Sequence, residues 1–420
     1  MNYGIGYTFI EELQKGHFDL EKFSKAFERD RKRLEETDSY CYDRFVEQSS
    51  SSIGNVGSSV GDVERKYIWC TNHYLGLNRH PSIIEATVET TRKYGTGSGS
   101  SAMSGGRCGL HLEIENFLKA YLNKTDVVLF PTGYTTNLGM LSTIVQKNDV
   151  IISDSENHAS IIDGIKLSNK PKLIFKHNDV SSLEEQLKKV KGQYTNTFVI
   201  VESAYSMSGD LAPIKEIVAL KEKYDFYLYL DEAHTIGFYG ENGRGLANEY
   251  GVLDQVDFLA GTFSKSCASV GGFCAFNSRF RTFVTCRASS YIFQAAFPPP
   301  AAATTLAALK LFSTDGSFAK RLHEKNQYMR KALQKAGFNL GTSQSPVIPI
   351  FIPDVERLTQ FETEMYQKGI FAVSIIYPAV QPHEGRIRFT VTDSHSYEDI
   401  DNTVQILQEL AEKHKIKELY

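Results

Sequence analysis

From Lys66 onward the chain alternates between short apolar runs and longer stretches whose apolar positions recur at helical spacing. The short runs are VVLF (127–130), VIIS (150–153), KLIF (172–175), TFVIVE (197–202), FYLYL (226–230), FLAGTF (258–263) and GGFCAF (271–276). Each is apolar along most of its length instead of at alternate positions, which predicts strands buried on both faces. Between them HLEIENFLKAYL, SLEEQLKKV and IKEIVALKEKY read as amphipathic helices. Strand–helix alternation of this kind predicts an α/β fold, a mostly parallel sheet covered on both faces.

The two ends have a different texture. Residues 7–36, rich in Glu, Lys and Leu, read as a helix, and SSSSIGNVGSSVGD (49–62) reads as a loop or flexible arm. After the proline run at 298–300, a long helical stretch (301–337) precedes VIPIFI, a helix near 355–368, FAVSIIYPAV, RIRFTVT and a final helix near 397–414. That order predicts a smaller C-terminal α+β domain. The expected organisation is therefore an N-terminal helical arm and flexible segment over 1–65, a large α/β domain over 66–300 and an α+β domain over 301–420.

Composition narrows the classes further. The chain is 41% apolar and 23% charged with a net charge of −4, so no basic field points to nucleic acid. No run approaches the roughly 18 uninterrupted apolar residues of a membrane-spanning helix. The beginning, MNYGIGYTFIEELQKGHF, has no basic leader ahead of an apolar core, which argues against a secretory signal. Six scattered cysteines form no C-x-x-C pair and have no flanking His cluster, so no metal site is expected. They read as small buried core residues in a reducing cytoplasm.

Four segments carry candidate chemistry. Lys265 follows the strand FLAGTF and is flanked by Thr262, Ser264 and Ser266, whose hydroxyls suit a phosphate. Taken alone, a lysine among serines is as well explained by solvation. About thirty residues earlier FYLYL runs into Asp231-Glu232-Ala233-His234, which brings Asp231 to the carboxyl edge of the sheet where ligands bind. A buried carboxylate there needs a cation, and the protonated ring nitrogen of pyridoxal 5′-phosphate (PLP) is one. On local grounds a helix-capping role fits Asp231 equally. VVLFPTGYTTNLGM ends a strand in a glycine turn, with a helix starting near Thr135, so the backbone N–H groups of Gly133 and Tyr134 suit an anion. His158, in DSENHASIIDG, could stack on a cofactor ring, shuttle a proton or serve the structure alone.

In combination these segments carry a resemblance. The order PTGYTTN, NHASIIDG, ESAYSMSGD, DEAHTIGFYGENGRG, GTFSKS and RIRFT resembles the α-oxoamine synthase family over roughly residues 66–400. The resemblance implies a fold-type I PLP-dependent transferase, aspartate aminotransferase-like, condensing an amino acid with an acyl-CoA and losing CO2. It implies that Lys265 is the Schiff-base lysine and Asp231 the partner of the ring nitrogen. His158 then stacks on the ring, and His234 with Ser206 serves the phenolic oxygen. Thr262, Gly133 and Tyr134 hold the phosphate, and Arg388 and Asn72 meet the substrate. GTFSKS followed by VGGF, with SPVIPIFI and YPAVQPHEGRIRFTVTDSHSYEDID, is most similar to the bacterial serine palmitoyltransferase branch. That implies L-serine and a long-chain acyl-CoA such as palmitoyl-CoA, a 3-keto sphingoid base as product, a homodimer, and contact with membrane surface through the substrate. FKHND and IYPAV also resemble glycine-using members, so glycine is the alternative, and a noncatalytic PLP-fold subunit a more distant one.

Two positions depart from the family pattern. Ala102, in SSAMSGGRCGLH, stands where an arginine is common, with Arg107 nearby. Gln294 and Ala295 stand where small hydroxylated residues reach the neighbouring subunit's phosphate. The first bears on acyl-CoA or carboxylate handling, the second on a contact across a dimer.

Overall fold

The segment read as a loop or flexible arm, residues 49–62, contains a strand and has one on either side. In the computed structural model, which describes residues 19–36, 39–48, 52–58, 61–377 and 379–419, β1 (Phe45–Gln48), β2 (Ile53–Gly57) and β3 (Glu64–Ile68) make an antiparallel ladder. The two glycines and the asparagine of β2, which reads IGNVG, disfavour a strand, but Val56 is fully buried beside Ile68, Tyr366 and Phe371. Pairing and burial override propensity here. The N-terminal helix is present over Leu20–Glu35, capped by Asp19, and its expected beginning at residues 7–18 lies outside the described residues.

The seven apolar runs become β4 (Asp126–Phe130), β5 (Val150–Asp154), β6 (Lys172–Phe175), β7 (Thr197–Glu202), β8 (Tyr227–Asp231), β9 (Phe258–Thr262) and β10 (Gly272–Phe276). They form one sheet in the order β4-β10-β9-β8-β7-β5-β6. Only β10 runs against its neighbours. Every residue of β4, β5, β9 and β10 is buried, as continuously apolar strands require, while the edge strand β6 is half exposed. Helix Gly133–Ile144 packs its apolar side into the cluster of Phe130, Ile161, Ile200, Tyr229 and Phe258.

The last strands are β11 (Val347–Phe351), β12 (Ile370–Phe371), β13 (Val373–Ile375) and β14 (Arg386–Thr390). β11, β14 and β13 form an antiparallel sheet, and β12 joins β3 in parallel. The helical stretch after the prolines is two helices, Pro299–Thr314 and Ser317–Lys335, separated at Asp315 and Gly316.

The chain sorts into two compact units. One comprises residues 72–206 and 210–321, the other residues up to 71, 207–209 and 322–420. The division thus falls at Arg321 instead of at the proline run, and the N-terminal strands belong with the C-terminal third. The pairing of β3 with β12 is the physical reason: the arm is a sheet partner, not an appendage. Among the described residues no helix is long and apolar enough to cross a membrane, and no group of metal-ligating side chains occurs. Cys267 and Cys274 are buried as expected, whereas Cys286 is exposed and the other three are half-buried.

Candidate active site

β8 and β9 lie side by side in parallel, with Asp231 paired to Ala260, so both deliver their last residues to one edge. That closes in space the thirty-residue gap between Asp231 and Lys265. The loop carrying Lys265 is pinned there: Ser266 Oγ donates to Ile236 O at 2.7 Å, and Ala268 N–H donates to Lys265 O at 2.9 Å. Gly237 makes the fit possible, since a Cβ there would stand 2.6 Å from Ser266 Cβ.

A cavity of about 310 Å³ opens at this edge. Its wall brings together seven of the residues singled out by sequence: Gly133, Tyr134, His158, Asp231, His234, Thr262 and Lys265. Ser206 and Asn72 belong to the same unit but lie outside this wall. Arg388 belongs to the other unit, where it is buried on β14 and Nη1 donates to Thr390 Oγ1 at 2.9 Å.

Each wall residue has a local cause. Helix Gly133–Ile144 starts in the cavity, two residues earlier than its sequence suggests, because Thr132 caps it by accepting from Thr135 N–H at 3.0 Å. Gly133 is required: a Cβ would stand 2.8 Å from Thr262 Cβ. The Thr262 hydroxyl accepts from Ser264 N–H at 3.3 Å and donates to Gly271 O at 3.1 Å. His158 caps the helix Ala159–Ser168, its Nδ1 accepting from Ser160 N–H at 3.2 Å. Burial holds its pKa below the usual imidazole range, against the pull of Asp231, so it is neutral near pH 7. His234 is buried with Nδ1 2.6 Å from Tyr74 Oη.

Three wall residues were missed from sequence. Asn137 lies one helical turn beyond Gly133 and thus on the same face, and its Nδ2 donates to Asp231 Oδ2 at 2.7 Å. Ser160 follows His158. Glu202 ends β7 as Asp231 ends β8, and their direct pairing puts both carboxyl groups on one face of the sheet. The acid closing TFVIVE was the available signal. Burial, then the charge of Asp231, pushes the Glu202 carboxyl well above its ordinary pKa, while the His158 N–H it accepts works the other way.

The donor set suits PLP. The Asp231 carboxylate is buried and accepts from two neutral groups, Asn137 Nδ2 and Ala233 N–H, leaving its charge for a ring cation. A helix N-terminus with a glycine at its first position and hydroxyls opposite offers a phosphate seat, and Lys265 stands in the same wall. The two departures are also explained in part. Arg107 lines the same cavity as Ala102 and donates to Glu115 at 2.5 Å, a carboxylate shared with Arg281. Ala295 bridges to Ser101, which ties both departing segments together.

Fold and cavity define a fold-type I, PLP-dependent transferase. The chain belongs to the aminotransferase class I and II family, whose model matches residues 64–407, and within it to the α-oxoamine synthases. It is 38% identical over 368 residues to the serine palmitoyltransferase of Bacteroides thetaiotaomicron, covering 88% of this chain and 92% of that one. It is 36% identical over 359 residues to the 8-amino-7-oxononanoate synthase of Alkaliphilus oremlandii, covering 86% and 91%. A solved variant of the serine palmitoyltransferase of S. paucimobilis, with a bound PLP–myriocin aldimine, superposes with a TM-score of 0.89 at 29% identity, covering 95% of this chain and 100% of that one.

Proposed function

We propose that this chain condenses L-serine with a long-chain acyl-CoA, releasing CoA and CO2 and forming a 3-keto sphingoid base. The observation that carries serine is the likeness to the S. paucimobilis serine palmitoyltransferase along 95% of the chain. Bound PLP supplies an electron sink for the charge that develops at the amino-acid Cα. Lys265 would hold the cofactor, and its amine is the group placed to take the Cα proton. Asp231 would keep the proton on the ring nitrogen, and His158, in the same wall, would stack on the ring. The N–H groups of Gly133 and Tyr134, with Thr262, hold the phosphate, while His234 and Ser206 serve the phenolic oxygen. Arg388 clamps the substrate carboxylate with its planar fork, and Asn72 lies near the substrate. A bond forms between Cα and the acyl carbonyl carbon, the C–S bond breaks, and CoA leaves as the thiol. The Cα–carboxylate bond then breaks to give CO2, its electron pair stays with Cα, and a proton from solvent takes the carboxylate's place to complete the product.

The enzyme acts as a homodimer in this reading.

A second reading rests on the 36% identity to an 8-amino-7-oxononanoate synthase. That product name describes a methyl on the amine carbon and a carboxylate at the far end of the acyl chain. One experiment separates these. Holoenzyme shown by sedimentation to be a dimer is titrated spectrally with L-serine, L-alanine and glycine, and CoA release is followed with long-chain and carboxylate-ended acyl-CoAs. Serine with a long-chain acyl-CoA is the expected pair. Alanine with a carboxylate-ended one establishes the second reading, glycine a glycine-using synthase, and no turnover with any pair a noncatalytic subunit.

A further inference from the structure

Asn137 makes three hydrogen bonds in the buried layer beneath the cavity. Its Oδ1 accepts from Tyr229 Oη at 2.7 Å, and its Nδ2 donates both to Asp231 Oδ2 at 2.7 Å and to Ser160 Oγ at 2.9 Å. Ser160 Oγ in turn lies 2.8 Å from His158 Nδ1. Asn137, Ser160 and Tyr229 are all nearly fully buried.

The chain admits one arrangement of protons. Burial pushes the Tyr229 phenol well above its ordinary pKa, so its O–H is a donor. Flipping the Asn137 amide would point Oδ1 at the Asp231 carboxylate and Nδ2 at that phenol proton, acceptor against acceptor and donor against donor. At the other end Nδ1 of His158 accepts from Ser160 N–H at 3.2 Å, so it carries no proton. Ser160 O–H therefore donates to Nδ1 and its oxygen accepts from Asn137. The neutral imidazole is left with its proton on Nε2.

We propose that Asn137 is a positioning residue that orients the Asp231 carboxylate toward the cofactor's ring nitrogen and ties that orientation, through Ser160, to His158. This rests on the reading of Asp231 as the partner of that nitrogen. A donor on Oδ2, with Ala233 N–H at 2.9 Å on Oδ1, fixes the plane of the carboxylate and leaves one lone pair on each oxygen to face the cavity.

The test couples one protein group to one cofactor atom. Apoenzyme of the wild type and of Asn137→Ala is titrated with PLP and with its 1-deaza analogue, in which carbon replaces the ring nitrogen. The wild type is expected to prefer PLP. Asn137→Ala is expected to lose roughly tenfold in PLP affinity, the scale of a hydrogen bond to a charged group. Its affinity for the deaza analogue is expected to change little, so that the preference shrinks. Equal losses for both ligands would overturn the proposal, because a merely structural role has no reason to sense one ring atom. If the wild type itself does not discriminate, the reading of Asp231 fails instead. Should Asn137→Ala not fold, Tyr229→Phe removes only the bond that fixes the amide. It is expected to narrow the same preference by a smaller factor, and an unchanged preference overturns the proposal.

Discussion

His177 is held between two carboxylates, Nδ1 at 2.8 Å from Asp154 Oδ1 and Nε2 at 2.8 Å from Asp210 Oδ2, with its ring edge-on to Tyr205. Facing an acceptor on each side, the imidazole carries both protons. Burial opposes that charge, but the bonds to Asp154 and Asp210 outweigh it and push the pKa up to about 10. An unfolded histidine titrates near 6.5, so the folded state binds the extra proton between those values. The stabilisation is complete below about pH 6.5 and is lost as pH rises toward 10. Urea unfolding is expected to show stability falling by on the order of 2–3 kcal/mol between pH 7 and pH 10. In His177→Gln that fall is expected to flatten, and identical slopes in the two proteins would show that the imidazolium is not there. Nothing in FKHND announces this arrangement, because Asp154 ends β5 and Asp210 lies in the loop after β7, 23 and 33 positions away. Sequence set Lys265 apart from solvated lysines only through company: Asp231, the glycine turn and His158 in order. Asn137 and Glu202 lacked such company. An asparagine in a helix and an acid ending a strand acquire meaning only when the sheet sets them beside Asp231.

At the scale of elements, the start of helix Gly133–Ile144 is the tightest part of the site. A methyl on Gly133 would stand 2.8 Å from Thr262 Cβ and 2.9 Å from Thr262 Oγ1, atoms fixed to the end of β9. Gly272, on the neighbouring β10, admits the same helix start, since its Cβ would stand 2.7 Å from Gly133 N. Gly133→Ala is therefore expected to cost about 1–3 kcal/mol in stability. It is also expected to weaken PLP binding by roughly tenfold or more as the helix end shifts, a disproportion that thermal melts with and without PLP can measure. Melts lowered equally in both states would place the glycine's role in packing alone. The elements around this helix were legible because each buried strand is apolar throughout, a pattern that nothing outside a covered sheet requires. β2 was not legible. Serines flank it and glycines interrupt it, and only its pairing with β1 and β3 and the burial of Val56 make it a strand.

At the scale of the whole molecule, the texture of the sequence changed at the prolines while the unit boundary lies at Arg321. Composition records which residues are apolar, not which distant strand they will join, so the return of the N-terminal segment to β12 left no mark along the chain. The family is firm at this scale, whereas the substrate is divided between relatives of two names with nearly equal identity. What both share is the cofactor chemistry, and in the proposed reading it depends on Lys265. Reduction of the holoenzyme with borohydride, followed by peptide mapping, tests that dependence most directly. The account predicts a phosphopyridoxyl group on Lys265, with Lys265→Ala losing both the label and the visible absorbance of bound cofactor. A label on another lysine, or a Lys265→Ala protein that keeps absorbance and turnover, would contradict it.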